Sequence, residues 1–120
     1  LLVIHGGPIS PFQQNFIGNP FFYPVAAFAA RGFAVLRPNP RGSGGYGREF
    51  RHAIVGDWGG KDFQDLMAGV DQVIAMGVAD PERLGVMGPS YGGYMTAWTI
   101  TQTGRFQAAS LHAGMSDLLS

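Results

Sequence analysis

Apolar residues recur along the chain in short blocks separated by polar stretches rich in glycine and proline. Residues 1–4 form an unbroken aliphatic run closed by His5-Gly6-Gly7-Pro8, which predicts a buried strand ending in a loop with unusual backbone angles. Phe21, Phe22, Val25, Phe28 and Ala29 follow at helical spacing, with Pro20 and Pro24 tolerated in or before the first turn and Gly32 placed to terminate. A helix with one buried face is expected there. Residues 33–36 read as a second strand, cut off by Arg37-Pro38-Asn39-Pro40, because two close prolines remove ladder donors and forbid helix. Residues 41–47 form a glycine-rich loop. Phe63, Leu66, Met67, Val70, Val73 and Ile74 keep an i, i+3, i+4, i+7 rhythm, which predicts a helix over 61–76 with Gly77 as its C-terminal cap. After a turn at 80–83, residues 84–87 read as a third strand running into Gly88-Pro89-Ser90-Tyr91-Gly92. A helix from 91 or 92 to about 103 follows, stopped by Gly104, and then a fourth strand over 106–111.

Strand and helix alternate throughout, the signature of an α/β fold with a parallel sheet covered on both faces by right-handed crossovers. Strands this short and apolar are expected to be buried. No repeat, linker or low-complexity segment breaks the pattern, so residues 1–120 read as one domain piece. Leu1 opens directly on a strand and Ser120 follows another, so the expectation is a domain cut at both ends.

Composition narrows the function. An apolar content of 46% with 13% charged residues is that of a globular chain. Eight basic residues balance eight acidic ones without a basic run, so no footprint for nucleic acid or an anionic membrane is expected. The longest apolar run, around 25–30, falls far short of the roughly 20 residues of a membrane span. The absence of cysteine removes disulfides, thiolate catalysis and thiolate metal sites. Three scattered histidines, and no carboxylate pair at ligand spacing, imply neither metal nor cofactor. A small molecule or peptide is the expected partner; the compartment stays open, with the cytoplasm favoured.

Gly88-Pro89-Ser90-Tyr91-Gly92 has the form G-x-S-x-G between a predicted strand and a predicted helix, the setting of a nucleophile elbow. Such a turn lifts the serine hydroxyl above the sheet, and glycines two before and two after remove side chains that would collide. Ser90 at a helix start also meets unpaired N–H groups and a favourable dipole, so the N–H of Tyr91 is one candidate donor to an oxyanion. His5-Gly6-Gly7-Pro8 closes the neighbouring strand, and Gly6 and Gly7 are the candidates for backbone approach to substrate. His5 can orient that loop. The plainer alternatives are a serine that only caps a helix and a tight turn.

HGGP at 5–8, NPRGSGGYG at 39–47, GDWGGKDFQDL at 56–66 and SYGGYMT at 90–96 together resemble the prolyl oligopeptidase family, nearest its acylaminoacyl-peptidase and dipeptidyl-peptidase branches. The resemblance implies an α/β-hydrolase fold, here part of a three-layer αβα sandwich with a mostly parallel sheet. It also implies a serine peptidase that cleaves short peptides through an acyl-enzyme on Ser90, with an N-terminal β-propeller in the parent chain. Some branches carry an oxyanion-binding tyrosine at the position of His5; histidine here shifts that task to the backbone of Gly6 or Gly7. Pro89 replaces the usual aromatic before the serine, which alters the pocket wall.

The triad acid and histidine of this fold follow the serine on later loops. Asp117 comes one strand too early and reads as loop structure; His112, at a strand end beside the elbow, reads as a polar strand-end residue rather than the base; His52, near Arg48 and Arg51, reads as solvated surface. Without its histidine the piece alone is expected to be inactive, since losing that residue in a comparable triad costs about 10⁶ in kcat. Three other readings compete. Gly42 to Gly47 spells G-x-G-x-x-G, but prolines intervene after the strand and no helix is expected at Gly47, which argues against a dinucleotide site. An esterase or lipase would share the elbow and oxyanion loop. A hydrolase-like binding module would lack the acid and histidine altogether. Arg41 is expected to pair with Asp57 and hold a loop, rather than bind a substrate carboxylate.

Overall fold

A computed structural model describes residues 1–16 and 21–119. Pro20, proposed above as a helix-start residue, lies outside them. In chain order the elements are β1 (Leu2–Val3), α1 (Val25–Ala29), α2 (Arg48–His52), α3 (Lys61–Ala75), β2 (Gly85–Pro89), α4 (Tyr91–Gln102) and β3 (Ala108–His112). The sheet runs β1-β2-β3, all parallel. Leu2 is opposite Val86, and Pro89 is opposite His112.

Leu2, Ile4 and Val86 meet Leu66 and Val70 of α3 and Tyr91 and Met95 of α4 in one buried cluster. Leu66 and Val70 are successive i+4 positions, so a single stripe of α3 faces the sheet as its periodicity predicts. Val3 and Met87 alternate with the cluster residues along their strands, point to the other face, and are also buried. α3 ends where expected: Met76 is its C-cap, and Gly77, at φ +73°, turns the chain away with its N–H on the Ile74 carbonyl.

Several expectations need correction. Residues 33–36 do not form a strand; they contribute one parallel bridge, Leu36 to Leu2, with Leu36 N–H on the Leu1 carbonyl and Val3 N–H on the Leu36 carbonyl. The prolines at 38 and 40 stop that ladder from growing. α1 is a single turn and buries no residue, so the predicted apolar face is largely exposed; Phe28 packs instead edge-on against Phe33. β3 forms in the expected place, yet all five of its residues are exposed, because it lies at the edge of the described sheet. α4 stops one residue before its expected end, where Thr103 swings to extended geometry, so Gly104 is not the terminator.

A helix does begin directly after Gly47, contrary to expectation. Its sequence, Arg48-Glu49-Phe50-Arg51-His52, is too short and polar to show a period. It does not revive the dinucleotide reading, because the first half of the loop before it spends its N–H groups internally. Gly42 N–H bonds to the Phe50 carbonyl, Ser43 N–H to Pro40 and Gly44 N–H to Ile9. Donors already paired cannot cradle a phosphate.

Candidate active site

Ser90 sits between the last residue of β2 and the first of α4 at φ 57°, ψ −121°. A side chain in this region costs of order 1–3 kcal/mol, so the surroundings must enforce it. They do so with backbone. A Cβ on Gly88 would lie 2.5 Å from the Ile4 carbonyl oxygen and 2.8 Å from the Gly92 carbonyl carbon. One on Gly92 would fall almost onto the Ile4 oxygen. On the other side, a Cβ on Gly93 would lie 2.7 Å from the His112 oxygen and 2.9 Å from the Gly114 Cα. Ser90 N–H closes the turn on the His112 carbonyl at 2.9 Å. The result is an exposed serine gripped by β1 on one side and the exit of β3 on the other.

Of the residues singled out from sequence, the fold brings Ser90, Tyr91 and Gly6 together. A Cβ on Gly6 would be 3.5 Å from the Ser90 Cβ and 3.4 Å from the Pro89 oxygen, so the HGGP loop touches the serine turn. Gly6 N–H is already engaged, donating to the Tyr23 hydroxyl at 3.0 Å. Gly7 turns the loop at φ +119°. His5 is buried at 1% exposure, its Nδ1 2.8 Å from the Gly6 carbonyl and its Nε2 2.8 Å from the Ser43 hydroxyl. The carbonyl calls for the proton on Nδ1, and the Ser43 hydroxyl donates to the Pro40 carbonyl, 2.7 Å away. His5 therefore orients its loop and ties HGGP to NPRGS.

Burial holds the His5 pKa below its usual 6.5, against the opposing pull of the Gly6 carbonyl. Below about pH 6.5 the unfolded chain gains a proton that the folded one refuses, so stability is full above that pH and declines as pH falls toward the lower folded value. A melting curve of the full-length protein at about pH 7.5 and 5.5 should show this loss, and His5→Gln should flatten it.

The GDWGG segment docks against α4. Trp98 Nε1 donates to the Gly59 carbonyl at 2.7 Å, and a Cβ on Gly59, at φ +82°, would strike that indole at 2.8 Å. Trp58 packs edge-on against Tyr91, ring centroids 5.1 Å apart. The Tyr91 side chain leaves the site for the core, donating its hydroxyl to Asp62 Oδ2 at 2.7 Å. Burial first, and then the adjacent Asp62 charge, push this phenol's pKa well above its ordinary value. Asp62 is itself fully buried and escaped the sequence reading, although it shares the i+4 stripe with Leu66 and Val70. Tyr91→Phe strips the carboxylate of a donor and should destabilise the domain by about 1–3 kcal/mol in urea titration. Tyr94→Phe, altering a partly exposed hydroxyl, should change it by less than about 1 kcal/mol.

Arg41 has a different partner from the one expected. Its Nε and Nη2 fork onto Asp65 at 2.7 and 2.8 Å, and its own N–H reaches the same carboxylate at 3.0 Å. Burial raises the Asp65 pKa, but the Arg41 side-chain and backbone hydrogen bonds outweigh it and hold the carboxyl below its usual range. Asp57 accepts instead from Lys61 N–H at the start of α3. His112 is exposed, its ring 3.0 Å from the Ser110 hydroxyl; His52 is exposed on α2; Asp117 is exposed and accepts from Leu119 N–H. Among the described residues no histidine hydrogen-bonds to Ser90, and no group of three metal-ligating side chains exists. No helix among them is long and apolar enough to cross a membrane. An apolar hollow of about 110 Å³ lies at the opposite ends of the strands, walled by Leu2, Leu36, Val70 and Phe106.

The model of the prolyl oligopeptidase family matches residues 20–120. The chain belongs to the prolyl oligopeptidase family. It is 47% identical over 121 residues to the uncharacterized peptidase YuxL of Bacillus subtilis, covering 100% of this chain and 18% of that protein. The acylaminoacyl peptidase of Pyrococcus horikoshii superposes with a TM-score of 0.88 at 36% identity, over 96% of this chain and 18% of that one. A puromycin-hydrolyzing peptidase of Mycobacterium tuberculosis superposes at 0.90 and 36% identity, over 98% and 17%. The fold is thus that of the α/β-hydrolase peptidases, and the chain spans about a fifth of the length of these prolyl oligopeptidase relatives.

Proposed function

We propose that the whole protein is a serine peptidase that cleaves short peptides through an acyl-enzyme on Ser90. The observation that carries this reading is the elbow: an exposed serine at φ 57° between β2 and α4, with the HGGP loop in contact with it. In the proposed reaction the Ser90 oxygen attacks the scissile carbonyl carbon, and its proton passes to a histidine base. The carbonyl electron pair moves to the oxygen, which the N–H groups of Tyr91 and Gly7 receive. Tyr91 suits this role because it is the first residue of α4, where N–H groups have no intrahelical partner.

His5, His52 and His112 do not serve as the base in this reading, since none hydrogen-bonds to Ser90; the acid and the histidine belong to other parts of the protein. A β-propeller that screens entry, as the family resemblance implies, would restrict the substrate to short peptides. Labelling of the full-length protein with a fluorophosphonate probe tests the assignment. Wild type should label and Ser90→Ala should not; equal labelling of both would sink it.

A further inference from the structure

At Gly6, which borders Ser90, stands a hydroxyl that the reaction as described does not use. Tyr23 lies just before α1, and its phenol oxygen accepts the N–H of Gly6 at 3.0 Å. A phenol has one proton to give, and among the described residues that of Tyr23 meets no acceptor. The direction from Gly6 that would carry a side chain leads to both partners, 3.5 Å to the Ser90 Cβ and 3.8 Å to the Tyr23 oxygen. The hydroxyl and the serine therefore both border the space in front of Gly6. The ring is well held. Phe12 packs edge-on against it with centroids 5.1 Å apart, and Phe12 is fixed in turn by Asn39, which bonds its N–H at 2.8 Å and its carbonyl at 2.9 Å.

We propose that Tyr23 is a further donor in the Ser90 reaction: its hydroxyl takes the Gly6 N–H and directs its own hydrogen onto the oxyanion that forms at the scissile carbonyl. This deepens the serine-peptidase reading and rests on it. Gly6 N–H then acts through the phenol, and a donor that itself accepts a hydrogen bond is polarised toward giving a stronger one. As Ser90 Oγ bonds to the carbonyl carbon, the C=O π pair moves to oxygen and the serine proton goes to the base. Tyr23 stabilises the new charge with a hydrogen bond and keeps its proton.

The test uses full-length protein, p-nitrophenyl butyrate turnover and the rate constant of fluorophosphonate labelling. Tyr23→Phe retains the ring against Phe12 and removes only the hydroxyl; kcat should fall about 100-fold while KM stays within about threefold, and labelling should slow in parallel. A role confined to pinning the loop is separated by placing 3-fluorotyrosine at position 23. Fluorination strengthens a phenol as donor and weakens it as acceptor, so the proposal expects faster turnover than with tyrosine. Slower turnover with fluorotyrosine, or Tyr23→Phe within about twofold of wild type, overturns it. Loss of labelling in Ser90→Ala beside an unaltered Tyr23→Phe overturns this proposal alone. Labelling that survives Ser90→Ala overturns the nucleophile assignment and this proposal together.

Discussion

Replacing Ser90 with alanine in the full-length protein should lower kcat by about 10⁶ while leaving the fold intact. The size follows from chemistry: without the oxygen nucleophile no acyl-enzyme forms, and only binding and oxyanion stabilisation act on a direct attack by water. The fold should survive because the Ser90 side chain is exposed and the turn is held through its backbone. Its N–H bonds to His112, and its carbonyl accepts the Tyr94 N–H at 3.0 Å. Alanine at φ 57° carries the same backbone strain as serine, so the melting temperature should move by no more than a few degrees. Burst kinetics with an activated ester would give the clearest reading, since the burst should vanish altogether.

The second large effect is expected at Gly92→Ala, and it is one of structure before activity. In a helix interior alanine is the better residue by about 0.5–1 kcal/mol, so intrinsic propensity favours the change. Contact opposes it. The new methyl would fall almost onto the Ile4 oxygen, 2.9 Å from the Ile4 carbon and 3.1 Å from the His5 oxygen. All three are backbone atoms that no rotamer can move aside. β1 and α4 must separate, which should cost about 3 kcal/mol and carry the HGGP loop away from Ser90. Urea titration should show the lost stability, and fluorophosphonate labelling should slow even where the domain stays folded. Gly104→Ala is the control, because a Cβ there meets nothing within 4 Å; it should be neutral within about 0.5 kcal/mol.

The parts legible in the sequence were those with a local cause. The apolar rhythm of 61–76 located α3 to within a residue, and the G-x-S-x-G spacing located the elbow and the start of α4. Elements whose character depends on distant packing are less legible. The apolar residues of α1 suggested a buried face, yet nothing in their spacing tells whether another layer covers them. α2 is a single turn, shorter than any periodicity can register. The site divides in the same way. Ser90 and the glycine loop announce themselves by motif, whereas Tyr23 reaches Gly6 across 17 positions and Asp62 reaches Tyr91 across 29, contacts that only the fold creates. Arg41 illustrates a nearer miss: its place in a glycine-rich loop implies a carboxylate partner, but Asp65, one helical turn beyond the first residue of α3, offers both oxygens to the guanidinium fork where Asp57 is committed to Lys61.

The backbone grip on Ser90 also bears on how this domain tolerates change. Gly88 and Gly92 abut Ile4, and Gly93 abuts Gly114, through peptide atoms alone. The coordinates of Ser90 are therefore set by main chain rather than by side-chain volume. Substitutions among Leu66, Val70 and Met95 can alter how tightly the cluster packs while the serine stays where the peptide units put it. The interior can drift in sequence with its chemistry left in register, and the tolerance ends at four glycines.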